Sequence, residues 1–300
     1  MSGERENDGS AGLDIRRVGG RIGAEIRGVR LSGDLSDASV RAILHALHTH
    51  KVVFFRDQTH LDDVTQEAFA ARLGEPAPHP TARIAAGKYL MELADGAGGN
   101  VWHTDVTFTR DYPSASILRQ LVSPEYGGDT IWANGAEAYK RLPDQLRVLA
   151  DSLWAVHANA GFRAGAFPNR TPIQAEHPVV QVHPVTGERI LVLGVFARWL
   201  VGFGETESRR IIDLLQGYMT RPENTVRWSW RVGDVAIWDN RATMHYAVYD
   251  YGDQHRVMRR VTLEGPTPVG VDGRRSRSIE AAPAAPPAAR TAAMAGDAMA

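Results

Sequence analysis

The chain has 300 residues, 43% apolar and 23% charged, the proportions of an ordinary soluble globular protein with ample material for a core. Its 34 basic and 35 acidic residues nearly cancel, which removes the bulk electrostatic case for a nucleic-acid partner. There is no cysteine, so disulfides, thiolate metal sites and a cysteine nucleophile are excluded, and any metal must be held by His, Asp and Glu.

Residues 1–12 are Gly, Ser, Asn and charge and are expected to be disordered. They lack the apolar centre of a secretory signal, and no run approaches membrane-spanning length, so a cytoplasmic location away from membranes is expected. Residues 13–30 alternate weakly around glycines and predict short strands with a turn. Ser36 fits a helix N-cap, with Val40, Ile43, Leu44 and Leu47 at helical spacing over 37–49. His45, His48 and His50 on that helix have no carboxylate at ligand spacing and are read as structural. Val52-Val53-Phe54-Phe55 predicts a strand covered on both faces. A second helix is expected over 63–73, ended by Gly74, with Asp63 and Gln66 as a capping box. A Pro-rich loop holding His79 comes next, then a loop, strand and Gly-rich turn over 81–100.

The stretch Val101–Phe108 is β-like, and on an extended segment His103 and Asp105 point to one side. Strands follow over 115–122, from Gly127-Gly128 into Trp132, and over 153–158, with helix over 135–151 interrupted at Pro143. Residues 160–176 are expected to be a loop and candidate lid. A β-hairpin over 177–194 comes next, then a helix over 206–219 and strands over 225–231 and 255–264. Arg256, Met258 and Arg260 share one face of the last strand. The Ala/Pro-rich residues 271–300 are expected to be a disordered tail. Many short strands with few helices predict one mainly β domain over 13–270, a jelly-roll double sheet with flanking helices.

About one His-x-acid pair is expected by chance in this composition. The pair His60-Leu61-Asp62 precedes a helix and is read as local structure. His103 and Asp105 have company: His245 lies near the end of the domain, and two nitrogens with one carboxylate are the ligand set of a non-haem Fe(II) oxygenase. Arg256, 11 residues beyond His245, could anchor a co-substrate carboxylate through its planar fork, and Arg260 on the same face calls for a second anion.

The stretches HKVVFFRDQ, WHTDVTF, YGGDTIWAN, GDVAIWDNRATMHYAVYDY and HRVMRRVTL, with others spanning about 19–265, resemble the taurine/α-ketoglutarate dioxygenase family, and within it the bacterial alkylsulfate dioxygenases. The resemblance implies a double-stranded β-helix of the cupin-like kind and a cofactor set of Fe(II), 2-oxoglutarate and O2. By matching positions, it implies His103, Asp105 and His245 as iron ligands. Thr130 and Arg256 match the groups that hold 2-oxoglutarate. His79, Val106 and Arg260 match the pocket for the substrate's anionic head. Gly99 and Ala82 stand where taurine-using members carry Asn and Tyr, which points away from taurine and towards a larger or more apolar tail. The segment over 160–176 is shorter than in the alkylsulfate enzymes, so a different lid is expected. The expected partner is a small anion, a sulfate ester or sulfonate, hydroxylated with release of succinate and CO2. A homo-oligomer is left open. The alternatives are a tailoring oxygenase that hydroxylates or desaturates a carboxylate or amino-acid-like substrate, and a non-catalytic jelly-roll binding protein. A zinc hydrolase with the same ligands would leave Thr130 and Arg256 without a role.

Overall fold

The computed structural model describes residues 12–81, 83–95, 99–159 and 173–280. Strands β1 (Asp14–Arg17) and β2 (Ala24–Arg27) pair as a hairpin. Helix α1 (Asp37–His50) starts at Ser36, whose hydroxyl accepts from the Ser39 N–H at 3.1 Å. Strand β3 (Val52–Phe55) and helix α2 (Asp63–Leu73) come next. The capping box of α2 lies one residue earlier than expected. Asp62 accepts from the Thr65 N–H and Thr65 Oγ1 accepts from the Asp62 N–H, both at 2.8 Å. Asp63 instead reaches Arg119 at 2.6 Å, and Gln66 is buried with its amide on the Arg259 carbonyl.

The chain then runs through β4 (Pro76–Ala77), β5 (Ile84–Ala86), β6 (Leu90–Ala94), β7 (Ala115–Val122) and β8 (Thr130–Asn134). Helices α3 (Gly135–Lys140) and α4 (Asp144–Ser152) lead to β9 (Trp154–Ala158), β10 (Gln174–Pro178), the hairpin β11 (Val180–Val182) and β12 (Arg189–Leu191), and β13 (Ala197–Leu200). Helix α5 (Glu205–Met219) precedes β14 (Thr225–Trp228), β15 (Val235–Asp239), β16 (Thr243–Ala247), β17 (Val257–Leu263) and β18 (Arg277–Ile279).

The major sheet has the order β1-β2-β3-β15-β7-β17-β6-β5, with β4 also on β17, and a smaller sheet has the order β14-β8-β16. Period-two alternation decides what covers each face. Val53, Phe55, Val235, Ile237 and Val261 pack outward against Ile43 and Leu47 of α1 and Phe69 of α2. Val52, Phe54, Ala236, Trp238 and Met258 pack inward against Trp132 and Trp228 of the smaller sheet. Phe54 stacks on Trp228 at 4.1 Å between ring centres, an arrangement adding roughly 0.5–1.5 kcal/mol beyond area burial. The result is the mainly β double sheet with outer helices that the sequence predicts.

Two expectations need correction. Residues 101–108 form no strand. His103 makes one β-bridge to His245, and the chain then turns, with Val106 at φ +63°. The tail expected over 271–300 does not hold for 271–279, because Arg277–Ile279 pairs antiparallel with Gln174–Glu176 of β10. That pairing also draws Gln174–Glu176 out of the loop expected over 160–176. The readings of residues 1–11, Ala82, 160–172 and 281–300 lie outside the described residues.

Candidate active site

The site lies where the chain from two distant segments forms a single rung. His103 N–H donates to the His245 carbonyl at 3.0 Å, and His245 N–H returns to the His103 carbonyl at 2.8 Å. The Thr104 hydroxyl adds a bond to the Thr243 carbonyl at 2.8 Å. Gly194 makes room for this crossing. It sits at φ +100°, and a Cβ there would stand 2.9 Å from the Trp102 carbonyl oxygen and 3.0 Å from the His103 Cα.

His103, Asp105 and His245 are all buried, and one ligating atom from each lies within 4.8 Å of the others. His103 Nε2 is 3.6 Å from Asp105 Oδ1, and His245 Nε2 is 3.8 Å from it. The imidazoles have their rings 4.1 Å apart. His103 Nδ1 lies 2.7 Å from the Val101 carbonyl, so Nδ1 carries the proton and Nε2 presents its lone pair to the centre. Burial, reinforced by His103, pushes His245 well below the usual imidazole range and keeps it neutral. Burial works against ionisation of Asp105 too, but Arg260, His245, His103 and His79 outweigh it and hold the carboxyl well below its usual range. Two imidazoles and one carboxylate facing a common point are the donor set for a divalent metal with open positions on its far side.

Arg260 lies on β17 against this centre, and Arg256 immediately precedes the strand. Arg260 Nη1 is 2.9 Å from both oxygens of Asp105, and its Nη2 faces the Met91 sulfur at 4.0 Å. Arg256 lies under the Gly127-Gly128 turn with its guanidinium 5.8 Å from the Tyr251 ring. Gly128 is at φ +70°, and a Cβ there would press on Arg256 Cδ at 3.2 Å. Both arginines are buried, and neither Nε has a hydrogen-bond partner within the protein. Such unused N–H groups are costly unless a ligand takes them up. Thr130 is buried, and its hydroxyl accepts from Trp230 Nε1 at 2.9 Å.

The other residues singled out from the sequence are also near. His79 is half-buried, its Nδ1 accepting from the Thr81 N–H at 3.2 Å, and it is close enough to contribute to the lowering of Asp105. Val106 follows Asp105 directly and packs with Phe108, Tyr112 and Phe196, and the Phe196 ring meets His103 edge-on at 6.3 Å. Gly99 lies against the His103 ring, 3.5 Å from where its Cβ would be. His60 is away from this group: its Nε2 bonds the Leu31 carbonyl at 2.8 Å.

Sequence reasoning missed the buried polar residues behind the ligands. Asp239 is gripped by His183 at 2.8 Å and Arg241 at 2.7 Å. His177 bonds the Thr107 carbonyl and the Ser276 hydroxyl, both at 2.7 Å. The polar triplet Asp239-Asn240-Arg241 between two apolar strands is the available signal.

Residues 14–262 match the family model of the taurine catabolism dioxygenases, TauD, TfdA family. The chain belongs to that family, and it is accordingly a 2-oxoglutarate-dependent dioxygenase that uses Fe(II) and O2. It is 56% identical over 284 residues to an alpha-ketoglutarate-dependent sulfate ester dioxygenase of Pseudomonas putida, covering 89% of this chain and 94% of that protein. It is 50% identical to an alkylsulfatase of Acinetobacter baylyi, covering 89% of each. Among solved structures it matches a putative alpha-ketoglutarate-dependent taurine dioxygenase from Burkholderia xenovorans at TM-score 0.82. That match has 38% identity and covers 90% of this chain and 99% of the other.

Proposed function

We propose that this enzyme oxidises small alkyl sulfate esters at the carbon bearing the sulfate. The observation that carries the reading is the buried His103, Asp105 and His245 cluster with Arg260 against Asp105, and a second buried arginine, Arg256, four residues earlier, each arginine having an unused Nε–H. One dicarboxylate co-substrate would account for Arg256, and once a metal shares the Asp105 carboxylate that Arg260 now holds, Arg260 has charge to offer an anionic primary substrate. The two relatives named above, a sulfate ester dioxygenase and an alkylsulfatase, support a sulfate head group.

In this reading His103, Asp105 and His245 hold Fe(II), and Arg256 with Thr130 holds the distal carboxylate of 2-oxoglutarate. Bound Fe(II), with 2-oxoglutarate and O2, supplies the oxidising power for an unactivated C–H bond. The protein supplies position. Arg260 and His79 take the sulfate, so that the adjacent carbon faces the ligand cluster rather than the co-substrate. Val106, Phe108 and Phe196 offer an apolar wall for the alkyl chain. Oxygen insertion at that carbon gives a hydroxy sulfate ester, which collapses to an aldehyde and inorganic sulfate, while 2-oxoglutarate becomes succinate and CO2. The enzyme acts in the cytoplasm on a free small molecule.

Succinate formation is to be measured with alkyl sulfates of several lengths, alkyl sulfonates, aryloxy acids and amino acids. Succinate and sulfate released in equal amounts with an alkyl sulfate are expected. Turnover that alkyl sulfates do not raise, or that aryloxy acids raise more, would sink the assignment.

A further inference from the structure

Asp105 has no strand partner of its own. The bridge at His103 and His245 is isolated, and the ladder does not continue to Asp105, although Thr243 of β16 stands opposite it in register. The carboxamide of Asn240, 135 residues further along the chain, fills the place. Its Oδ1 accepts from the Asp105 N–H at 2.9 Å, and its Nδ2 donates to the Asp105 carbonyl at 3.0 Å and to the Pro113 carbonyl at 2.9 Å. A backbone N–H and C=O satisfied together from one side is what a paired residue in an antiparallel ladder receives. Asn240 is fully buried, and its own N–H donates to the Ser114 carbonyl at 3.0 Å, which fixes the main chain from which the carboxamide reaches.

The residue after the clamp explains why one is needed. Val106 is β-branched and sits at φ +63°, a conformation such residues rarely take without outside support. The Thr109 N–H and hydroxyl both hold the Val106 carbonyl at 2.9 Å from the far side. Asp105 is thus fixed between a strained turn and a side chain that stands in for a strand.

We propose that Asn240 is a positioning residue for the metal site: its carboxamide holds the Asp105 backbone in register with His245, so that the carboxylate meets both imidazoles at one point. This rests on the reading that His103, Asp105 and His245 bind the metal. The backbone clamp is distinct from the contacts Arg260 makes, because it acts on the main chain and does not touch the carboxylate.

The test is Mn(II) titration of the metal-free full-length protein by calorimetry, with thermal melts alongside. Asn240→Ala is expected to weaken Mn(II) about 10- to 100-fold, the usual effect of removing a group that orients a ligand. It should also raise the succinate formed per sulfate released. Asn224→Ala is the control. Asn224 is equally buried and its Nδ2 donates to the Asn134 and Met219 carbonyls at 2.8 Å, away from the ligands. It should melt earlier yet bind Mn(II) as wild type does. If Asn240→Ala does not fold, Asn240→Ser, which leaves room for a bridging water, should show a smaller loss of affinity. Wild-type affinity in the folded Asn240 variant overturns the proposal alone. Wild-type protein that binds no Mn(II) overturns the metal reading and the proposal with it.

Discussion

Replacing Arg260 by leucine leaves Asp105 as a buried carboxylate without its guanidinium. Arg260 is 7% exposed and Asp105 4%, so water cannot take over the lost contacts. Removing one side of a buried ion pair costs about 3–5 kcal/mol. In a domain of this size each kcal/mol moves the melting temperature by roughly 2 °C, so the metal-free variant should melt roughly 6–10 °C below wild type. A divalent cation supplies the missing positive charge directly. Mn(II) should therefore raise the melting temperature of Arg260→Leu by more than it raises that of wild type, although the variant has lost its hold on the substrate sulfate. Scanning calorimetry of both proteins, with and without saturating Mn(II), reads both effects. Equal metal-free melting temperatures, or equal Mn(II) increments, would refute the view that Arg260 neutralises Asp105 before the metal does.

Arg256→Ala should raise the concentration of 2-oxoglutarate needed for half-maximal rate roughly 10- to 100-fold, from about 1.5–3 kcal/mol of lost charge-assisted hydrogen bonding. The requirement for the sulfate ester at saturating 2-oxoglutarate should change little, and the reverse pattern in steady-state kinetics would exchange the roles of the two arginines. Gly194→Ala should destabilise the protein by about 1–3 kcal/mol through its left-handed backbone and push the His103 backbone off its rung, so weaker Mn(II) binding should accompany the lower melting temperature. Undiminished binding would show that the rung tolerates displacement. Glu188 sits between Lys51 and Lys140. Burial opposes its ionisation, but hydrogen bonds from the two lysines win and push its carboxyl down to about 2. The folded value lies below the unfolded one, so its contribution is full above about pH 4.5 and is lost as pH falls towards 2. The stability gap between wild type and Glu188→Gln should follow that window in urea melts, and a gap that persists at pH 2 would contradict the assignment.

His103 and Asp105 were legible because two ligands at i and i+2 leave a short signature, and His245 because Arg256 and Arg260 follow it at fixed spacing on one strand. On the strand expected over 255–264 the alternation puts Arg256, Met258 and Arg260 on one face, and the unbroken apolar run of β3 marks a strand covered on both sides. The turn at Thr104–Thr109 was not legible. Its threonines, valine and phenylalanine have high β propensity, and tertiary hydrogen bonds from Asn240 and the strained Val106 override it. Asn240 itself has the composition of a surface turn, and only its distance from Asp105 in space gives it a task. The strand Arg277–Ile279 escaped notice because three residues beside an Ala/Pro-rich tail carry no pattern, whereas β10 offers them an edge.

The rung between His103 and His245 has a kinetic meaning. Its two halves come from segments far apart in the chain, and they meet only when the small sheet has closed over the large one. The divalent ion therefore has no complete set of ligands to find in a half-folded chain. It should act as a latch on the finished molecule, slowing unfolding in proportion to occupancy while leaving the rate of refolding where it is in the metal-free protein. For an enzyme that handles O2 beside a reducing metal, this timing keeps the reactive ion out of the chain until the surrounding walls are in place.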